Sequence, residues 1–350
     1  MSMTLQPSYT DTRPQGQSVS VTACICTHNR THYLRHCLES LRQQTVGPDA
    51  FDIVVVDSKS SRAVAEEIQH LVAESPNAQL IRVEEAGLSL ARNAGALAAR
   101  GDYVAYLDDD ALAAPDWIEQ IMCVVQELPV RPAVLSGRAL PIWEAPLPGW
   151  WPDSLRGILT ITEWEGRGEY RTSEVPAELG PYGANLVVER AALLAVSGFA
   201  EDLGRRGGLL LSDEDVHLAW KLQDSGRSAR HDSRITVHHC IQAVRLTPSW
   251  LLQRLYWQGA SSVLTRLMLG DNRLVWSELP RRLALVAALA PLALMPVESS
   301  ALIGLRWRLA YAQGFVSMAL GELRIRAKKA GIRVNAHTLQ ESAAARGAMG

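Results

Sequence analysis

The stretch Gly101-Asp102-Tyr103-Val104-Ala105-Tyr106-Leu107-Asp108-Asp109-Asp110 joins a helix stop, a short apolar strand and three consecutive carboxylates. Before it, an Ala-rich pattern over 88–100 reads as a helix, which Gly101-Asp102 breaks. After it, Pro115 opens a helical pattern over 115–127, at the position where proline fits a first turn. Further upstream, β-branched runs at 19–26, 51–56 and 79–83 read as buried strands. Between them, Tyr33, Leu34, Cys37, Leu38 and Leu41, then Val64, Ile68, Leu71 and Val72, recur at helical spacing. Thr31 is expected to cap the first of these helices. Strands alternating with helices predict βαβ units, an α/β fold whose mostly parallel sheet is covered on both faces. Thr27-His28-Asn29, Asp57-Ser58 and Asp108-Asp109-Asp110 then fall at the C-terminal ends of strands, the edge where such sheets bind ligands.

Beyond 131 the pattern loosens. Strands are predicted at 134–140, 184–189 and 234–239, and a Pro- and Trp-rich loop or lid at 141–152. Ser212 is expected to cap a helix over 213–224 that Gly226 stops, and Gly204–Gly208 reads as a flexible basic loop. After Pro248 only helix is predicted, about 249–269, 279–295 and 300–328. The expected organisation is a tail at 1–18, a catalytic unit at 19–245 with halves 19–127 and 128–245, a helical region at 246–330, and a tail at 331–350.

Composition narrows the function classes. The 350 residues are 47% hydrophobic and 21% charged, with a formal net charge of -2. That is an ordinary globular balance without the basic field of a nucleic-acid binder. Residues 281–330 nevertheless hold eight Arg/Lys against two Glu. With Trp307 and apolar runs too short or too interrupted to span a bilayer, they predict either peripheral contact with an anionic leaflet or packing on the body or a second subunit, as in a homodimer. The five cysteines match no zinc or redox spacing and read as core residues, Cys24 and Cys26 both buried. The first eighteen residues contain no apolar h-region, so no signal peptide and a cytoplasmic location are expected.

Three adjacent carboxylates at a strand end call for a nearby cation. Oxygen ligands favour a hard divalent ion, Mg²⁺ or Mn²⁺, and Asp108 and Asp110 point to one side of an extended chain. A solvated acidic turn is the bland reading; the position on an edge shared with two other polar clusters favours the metal. Ser212-Asp213-Glu214-Asp215 places carboxylates at a helix N-terminus, which the dipole alone explains. One of them is also suited to act as a general base. Arg92 is a fixed cation ahead of the acidic strand end, suited to a pyrophosphate and equally to a surface ion pair. Neither GxGxxG nor GxxxxGK[ST] is present.

Together, Thr27-His28-Asn29-Arg30, Val54-Val55-Val56-Asp57-Ser58, Gly87 through Gly95, Tyr106 through Asp110 with Pro115-Asp116-Trp117, and Glu214-Asp215 resemble glycosyltransferase family 2, the inverting GT-A-fold enzymes. The resemblance covers roughly residues 19–240. It implies transfer of a sugar from a nucleotide-diphosphate donor, a UDP-sugar favoured, to a hydroxyl of a glycan or lipid-linked acceptor. It implies Asp215 as catalytic base beside Glu214, and a donor pocket of Thr27, Asn29, Arg30, Asp57, Arg92, Asp108 and Asp109. It implies Mn²⁺ or Mg²⁺ on Asp110 and Asp108, with His238 or His239 near the metal and diphosphate. The Ser58-Lys59-Ser60-Ser61 run departs from the family's acidic-Gly-Ser pattern and leaves the base open. Two other readings remain: a sugar-nucleotide nucleotidyltransferase, which Thr27-His28-Asn29-Arg30 fits poorly, and an inactive binding module, which retention of both acidic pairs disfavours.

Overall fold

The computed structural model describes residues 18–294 and 302–329. The first half alternates as the periodicity predicts: β1 (Val21–Thr27), α1 (Thr31–Arg42), β2 (Phe51–Ser58), α2 (Arg62–Ala73), β3 (Ala78–Val83), α3 (Leu88–Ala98), β4 (Tyr103–Asp108), the short β5 (Ala111–Ala113) and α4 (Trp117–Glu127). Then follow β6 (Val134–Trp143), β7 (Arg167–Glu169), β8 (Asn185–Glu189), α5 (Arg190–Ala195), α6 (Glu214–Asp224) and β9 (Ala229–Ile241). Three helices follow: α7 (Pro248–Met268), α8 (Asn272–Leu289) and α9 (Ile303–Lys329).

All but β7 lie in the order β3-β2-β1-β4-β8-β6-β9-β5, with β7 pairing β9. The β3-β2-β1-β4 half is parallel. β8 then runs antiparallel to β4 and β6, and β6 is parallel to β9. Strand alternation sorts the core into two layers. Ile25, Ile53, Val55 and Leu107 pack with Leu34, Leu38, Ile68, Trp117 and Ile121 from α1, α2 and α4. Their sequence neighbours Cys24, Val54, Val56 and Tyr106 face the opposite side, with Ala91, Ala96, Leu193, Leu218 and Leu222 from α3, α5 and α6. Parallel pairing brings the ends of β1, β2 and β4 to one edge, with Thr27 level with Asp57 and Cys26 level with Asp108.

Several local expectations are corrected. Neither Thr31 nor Ser212 caps a helix: Arg30 and Asp213 hold the N-cap positions, and no side chain closes either end. The Thr31 hydroxyl instead donates to Glu67, and the Ser212 hydroxyl to Asp213 and Gln258. Cys26 is only partly buried, because the strand end it occupies opens into a cavity. β9 starts before 234, since β7 supplies a partner at its N-terminal end. α8 starts before 279 and carries Pro280 inside.

The C-terminal helices close on each other through glycines. α7 begins at Pro248 behind a Thr247 side-chain cap. At the crossing with α9, a Cβ on Gly259 would lie 2.1 Å from the Tyr311 carbonyl oxygen, and one on Gly314 1.7 Å from that of Tyr256. α8 buries only Val275. Among the described residues, no helix is long and apolar enough to cross a membrane.

Candidate active site

At the C-terminal edge of the sheet lies a cavity of about 690 Å³. Its walls include Thr27 and Arg30 after β1, Arg92 of α3, Asp108, Asp109 and Asp110 after β4, and Asp213, Glu214 and Asp215 at the start of α6. The strand-end aspartates and the helix-tip carboxylates, far apart in sequence, thus share one cleft.

Each aspartate of the triplet has a different environment. Asp109 is buried; it accepts from the Thr27 hydroxyl at 2.7 Å and pairs with Arg30 at 2.9 Å. Burial pushes it up to about 7 against the pull of Arg30. Asp110 is also buried, and its Oδ2 collects Arg30 at 2.7 Å, Arg245 at 2.8 Å and Gln242 at 3.0 Å. Burial opposes its ionisation, but His239, Arg245 and Arg30 prevail and hold it well below the usual carboxylate range. Asp108 is half-exposed and lies 3.3 Å from Arg92. Cationic neighbours therefore consume one oxygen of Asp110 and leave Oδ1, which faces His239 Nε2 at 3.4 Å.

The residues present fit a divalent cation. Asp108, Asp110 and His239 each offer a ligand atom, all within 4.8 Å of one another. Two carboxylates and an imidazole suit Mn²⁺ or Mg²⁺, the nitrogen donor leaning to Mn²⁺. His239 Nε2 lies 3.4 Å from Asp110 Oδ1 and 3.4 Å from Arg245 Nη1, both long for hydrogen bonds, and the buried Nδ1 has no partner. Of the two adjacent histidines, His239 faces the cluster. His238 occupies the alternate strand position, in register with Leu112, and does not line the cavity.

Across the cleft, Arg92 bridges the two acidic groups, 2.8 Å from Glu214 and 3.3 Å from Asp108. Glu214 Oε2 is buried without a partner. Asp215 accepts from the Gly183 N–H at 2.6 Å and from Val216 at 2.7 Å. Burial, then the adjacent Glu214 charge, push Asp215 up to about 7. Asp213 sits at φ 70°, left-handed backbone that aspartate tolerates, and its side chain accepts from Gln258 of α7 at 2.7 Å.

Two expected donor-pocket residues lie behind the wall. Asp57 is buried, pairing with Arg82 and accepting from the Ser60 N–H at 2.9 Å. Asn29, at φ 55°, donates its backbone N–H to the Ser60 hydroxyl oxygen and accepts from the Ser61 N–H through Oδ1, at 2.9 Å each, fixing the turns after β1 and β2. Arg245, Arg254, Gln258, Tyr182 and Gly183 line the cavity without having been singled out in the sequence. A cation six residues past His239, and Arg254 and Gln258 at i,i+4 on one helix, were the available signals. Arg205 of the basic loop is a further wall residue. Desolvation at the cavity mouth, then the like charges of Arg245 and Arg254, push it down to about 10, although much of its side chain is exposed.

Residues 22–137 match the model of glycosyl transferase family 2. The chain is 29% identical over 245 residues to the glucosyl-dolichyl phosphate glucuronosyltransferase of Haloferax volcanii, covering 69% of this chain and 75% of that protein. It is 25% identical over 252 residues to the pre-mycofactocin glycosyltransferase of Mycobacterium tuberculosis, covering 72% of this chain and 49% of that one. Among solved structures it resembles the mannosyltransferase PcManGT from Pyrobaculum calidifontis in complex with GDP-Man and Mn²⁺, with TM-score 0.51, 18% identity, and 96% and 84% of the two chains covered. S. aureus TarS 1–349 in complex with UDP gives TM-score 0.51, 16% identity, and 87% and 91% covered.

Proposed function

We propose that this chain, whose residues 22–137 match the model of glycosyl transferase family 2, is an inverting, metal-dependent enzyme that moves a sugar from a nucleotide-diphosphate donor to a hydroxyl of a glycan or lipid-linked acceptor. The observation that carries this reading is the shared cavity: a carboxylate poised near neutrality lines the same cleft as the cation-binding set. Asp108, Asp110 and His239 would hold the metal, which would supply positive charge to the departing diphosphate. Arg30 and Arg245 fix the unused oxygen of Asp110, so the other is presented in one orientation. Asp215 takes the proton of the acceptor hydroxyl. Two backbone N–H groups orient the carboxylate, and burial, then the Glu214 charge, raise its proton affinity to suit a base at neutral pH. Glu214 is locked to Arg92 through Oε1 and offers its unpaired Oε2 to a sugar hydroxyl. Attack from the Asp215 side, opposite the leaving group, gives inversion in a single displacement.

Lipid-linked acceptors fit the surface of the C-terminal helices. Arg281, Arg308 and Arg324 are exposed beside exposed Leu283, Leu305, Leu323 and Ile325, a pattern suited to peripheral contact with an anionic leaflet. The test is a thermal-shift screen of nucleotide sugars with Mn²⁺ and Mg²⁺, followed by NMR of the product's anomeric configuration. A nucleotide sugar that stabilises the protein and yields the inverted anomer is expected. A retained configuration, or transfer unaffected by chelator, overturns the mechanism.

A further inference from the structure

Asp110 is gripped on one oxygen from two directions, by segments far apart in the chain. Arg30, at the N-cap of α1, spreads its guanidinium across Asp109 Oδ1 at 2.9 Å and Asp110 Oδ2 at 2.7 Å. Gln242 and Arg245 reach the same Oδ2 from the turn after β9. Holding a long, partly exposed arginine in one rotamer costs entropy. Tyr33, one helical turn after Arg30, lays its ring against the guanidinium, whose carbon lies 4.8 Å from the ring centre. The ring covers the planar face of the cation and leaves its N–H edge for the two aspartates. The Tyr33 hydroxyl donates to Glu144 Oε1, in the chain just after β6. Burial, then the Glu144 carboxylate, push Tyr33 up to about 12, so it stays a donor across the neutral range. Glu144 Oε2 accepts from the Ala243 N–H at 3.1 Å, and the Glu144 N–H donates to the Ile241 carbonyl at 3.1 Å. Ala243 lies between Gln242 and Arg245, so Glu144 fastens α1 to the turn that carries both.

We infer that Tyr33 and Glu144 are positioning residues for the metal site: through Arg30 and the 242–245 turn they hold Asp110 Oδ2, and so aim Oδ1 at the cation. Neither residue lines the cavity, so they act from outside the cleft. Glu144 is exposed, where one hydrogen bond adds little to stability; what the link governs is the alignment of the two grips. The inference rests on the metal-dependent reading above.

Mn²⁺ alone is the probe. Titrating it into the full chain, with free Mn²⁺ followed by electron paramagnetic resonance, measures binding without donor, acceptor or turnover. Tyr33→Phe keeps the ring and removes the link. It should raise the Mn²⁺ dissociation constant about threefold or more, short of the roughly 10- to 100-fold typical when a ligand loses its direct partner. Glu144→Ala should do the same, and the double variant should lose no more than the larger single one, because the two residues form one chain of contacts. Tyr33→Leu, which also uncovers Arg30, should weaken binding further. Thr31→Val is the control: it cuts an exposed link from the same helix, to Glu67, and should leave Mn²⁺ affinity unchanged. Excess Mn²⁺ should restore sugar transfer to the Tyr33 and Glu144 variants, which a general loss of structure would not allow. Glu144→Ala, at an exposed position, keeps the test decisive if the Tyr33 variants fail to fold. Wild-type affinity in Tyr33→Phe and Glu144→Ala, or an equal loss in Thr31→Val, overturns the positioning role and leaves the metal reading standing. A wild-type chain that binds no Mn²⁺ overturns both.

Discussion

The backbone N–H of Gly183 donates to Asp215 Oδ2 at 2.6 Å, while the missing Cβ of the same glycine makes room for Arg92, whose Nη2 would lie 2.1 Å from it. One residue thus orients the proposed base and admits the cation that ties Glu214 to Asp108. Gly183→Ala should push Arg92 out of that bridge and shift the loop holding Asp215. A displacement on the order of 1 Å costs about 100-fold in turnover when the reacting groups need alignment. Steady-state kinetics beside a melting curve checks this: a large fall in kcat with a modest fall in Tm is expected, and unchanged kcat would remove Gly183 from the machinery.

The elevated Asp215 makes a signed prediction about pH. A base works only when deprotonated, so with Asp215 at about 7, kcat/KM should fall roughly tenfold per pH unit below neutrality and level off above it. Burial and Glu214 raise the group while Arg92 opposes them, so neutralising Glu214 should move the limb to lower pH. Glu214→Gln is the variant to profile. Asp215→Asn should lose about 100- to 10,000-fold in turnover while nucleotide-sugar affinity stays near wild type. A pH profile flat from 5 to 8 would contradict the assignment.

The order of elements and the acidic ends of β4 and α6 were legible in the sequence because each is local: a period of two or of 3.6, or a run of carboxylates after an apolar stretch. What decides the chemistry was not local. Nothing near Asp110 in the sequence says that Arg30, Arg245 and Gln242 converge on one of its oxygens. The choice between His238 and His239 turns on which face of β9 looks into the cleft, and that depends on its register with β5 and β6. Asp57 reads as a pocket residue from its place after β2, yet its oxygens are taken up by Arg82 and Ser60. Thr31 and Ser212 look like caps by type and position, but Glu67, Asp213 and Gln258 compete for their hydroxyls.

Register also separates the two histidines experimentally. His239→Gln should raise the Mn²⁺ concentration needed for half-maximal activity by about tenfold or more, since a ligand nitrogen is lost. His238→Gln, off the cavity, should leave that requirement where it is. Chelation should abolish transfer in the wild type, and added Mn²⁺ should restore it. Equal metal dependence in both variants would mean that the imidazole beside Asp110 is only structural.

The last prediction concerns how firmly α7 must be held. A Cβ at Gly314 of α9 would lie 1.7 Å from the Tyr256 carbonyl oxygen of α7, so Gly314→Ala must separate the two helices. Overpacking of this kind costs about 1–3 kcal/mol, which should appear as a lowered Tm. Tyr256 lies between Arg254 and Gln258 on α7, so the displacement is passed directly to the two residues that reach the cavity. If α7 forms a wall of the active site, Gly314→Ala should weaken donor binding even well below its Tm, where the chain is folded. Gly321→Ala on the same helix, whose Cβ would meet nothing within 4 Å, should do neither. Unchanged donor affinity in folded Gly314→Ala protein would make α7 a support rather than a wall.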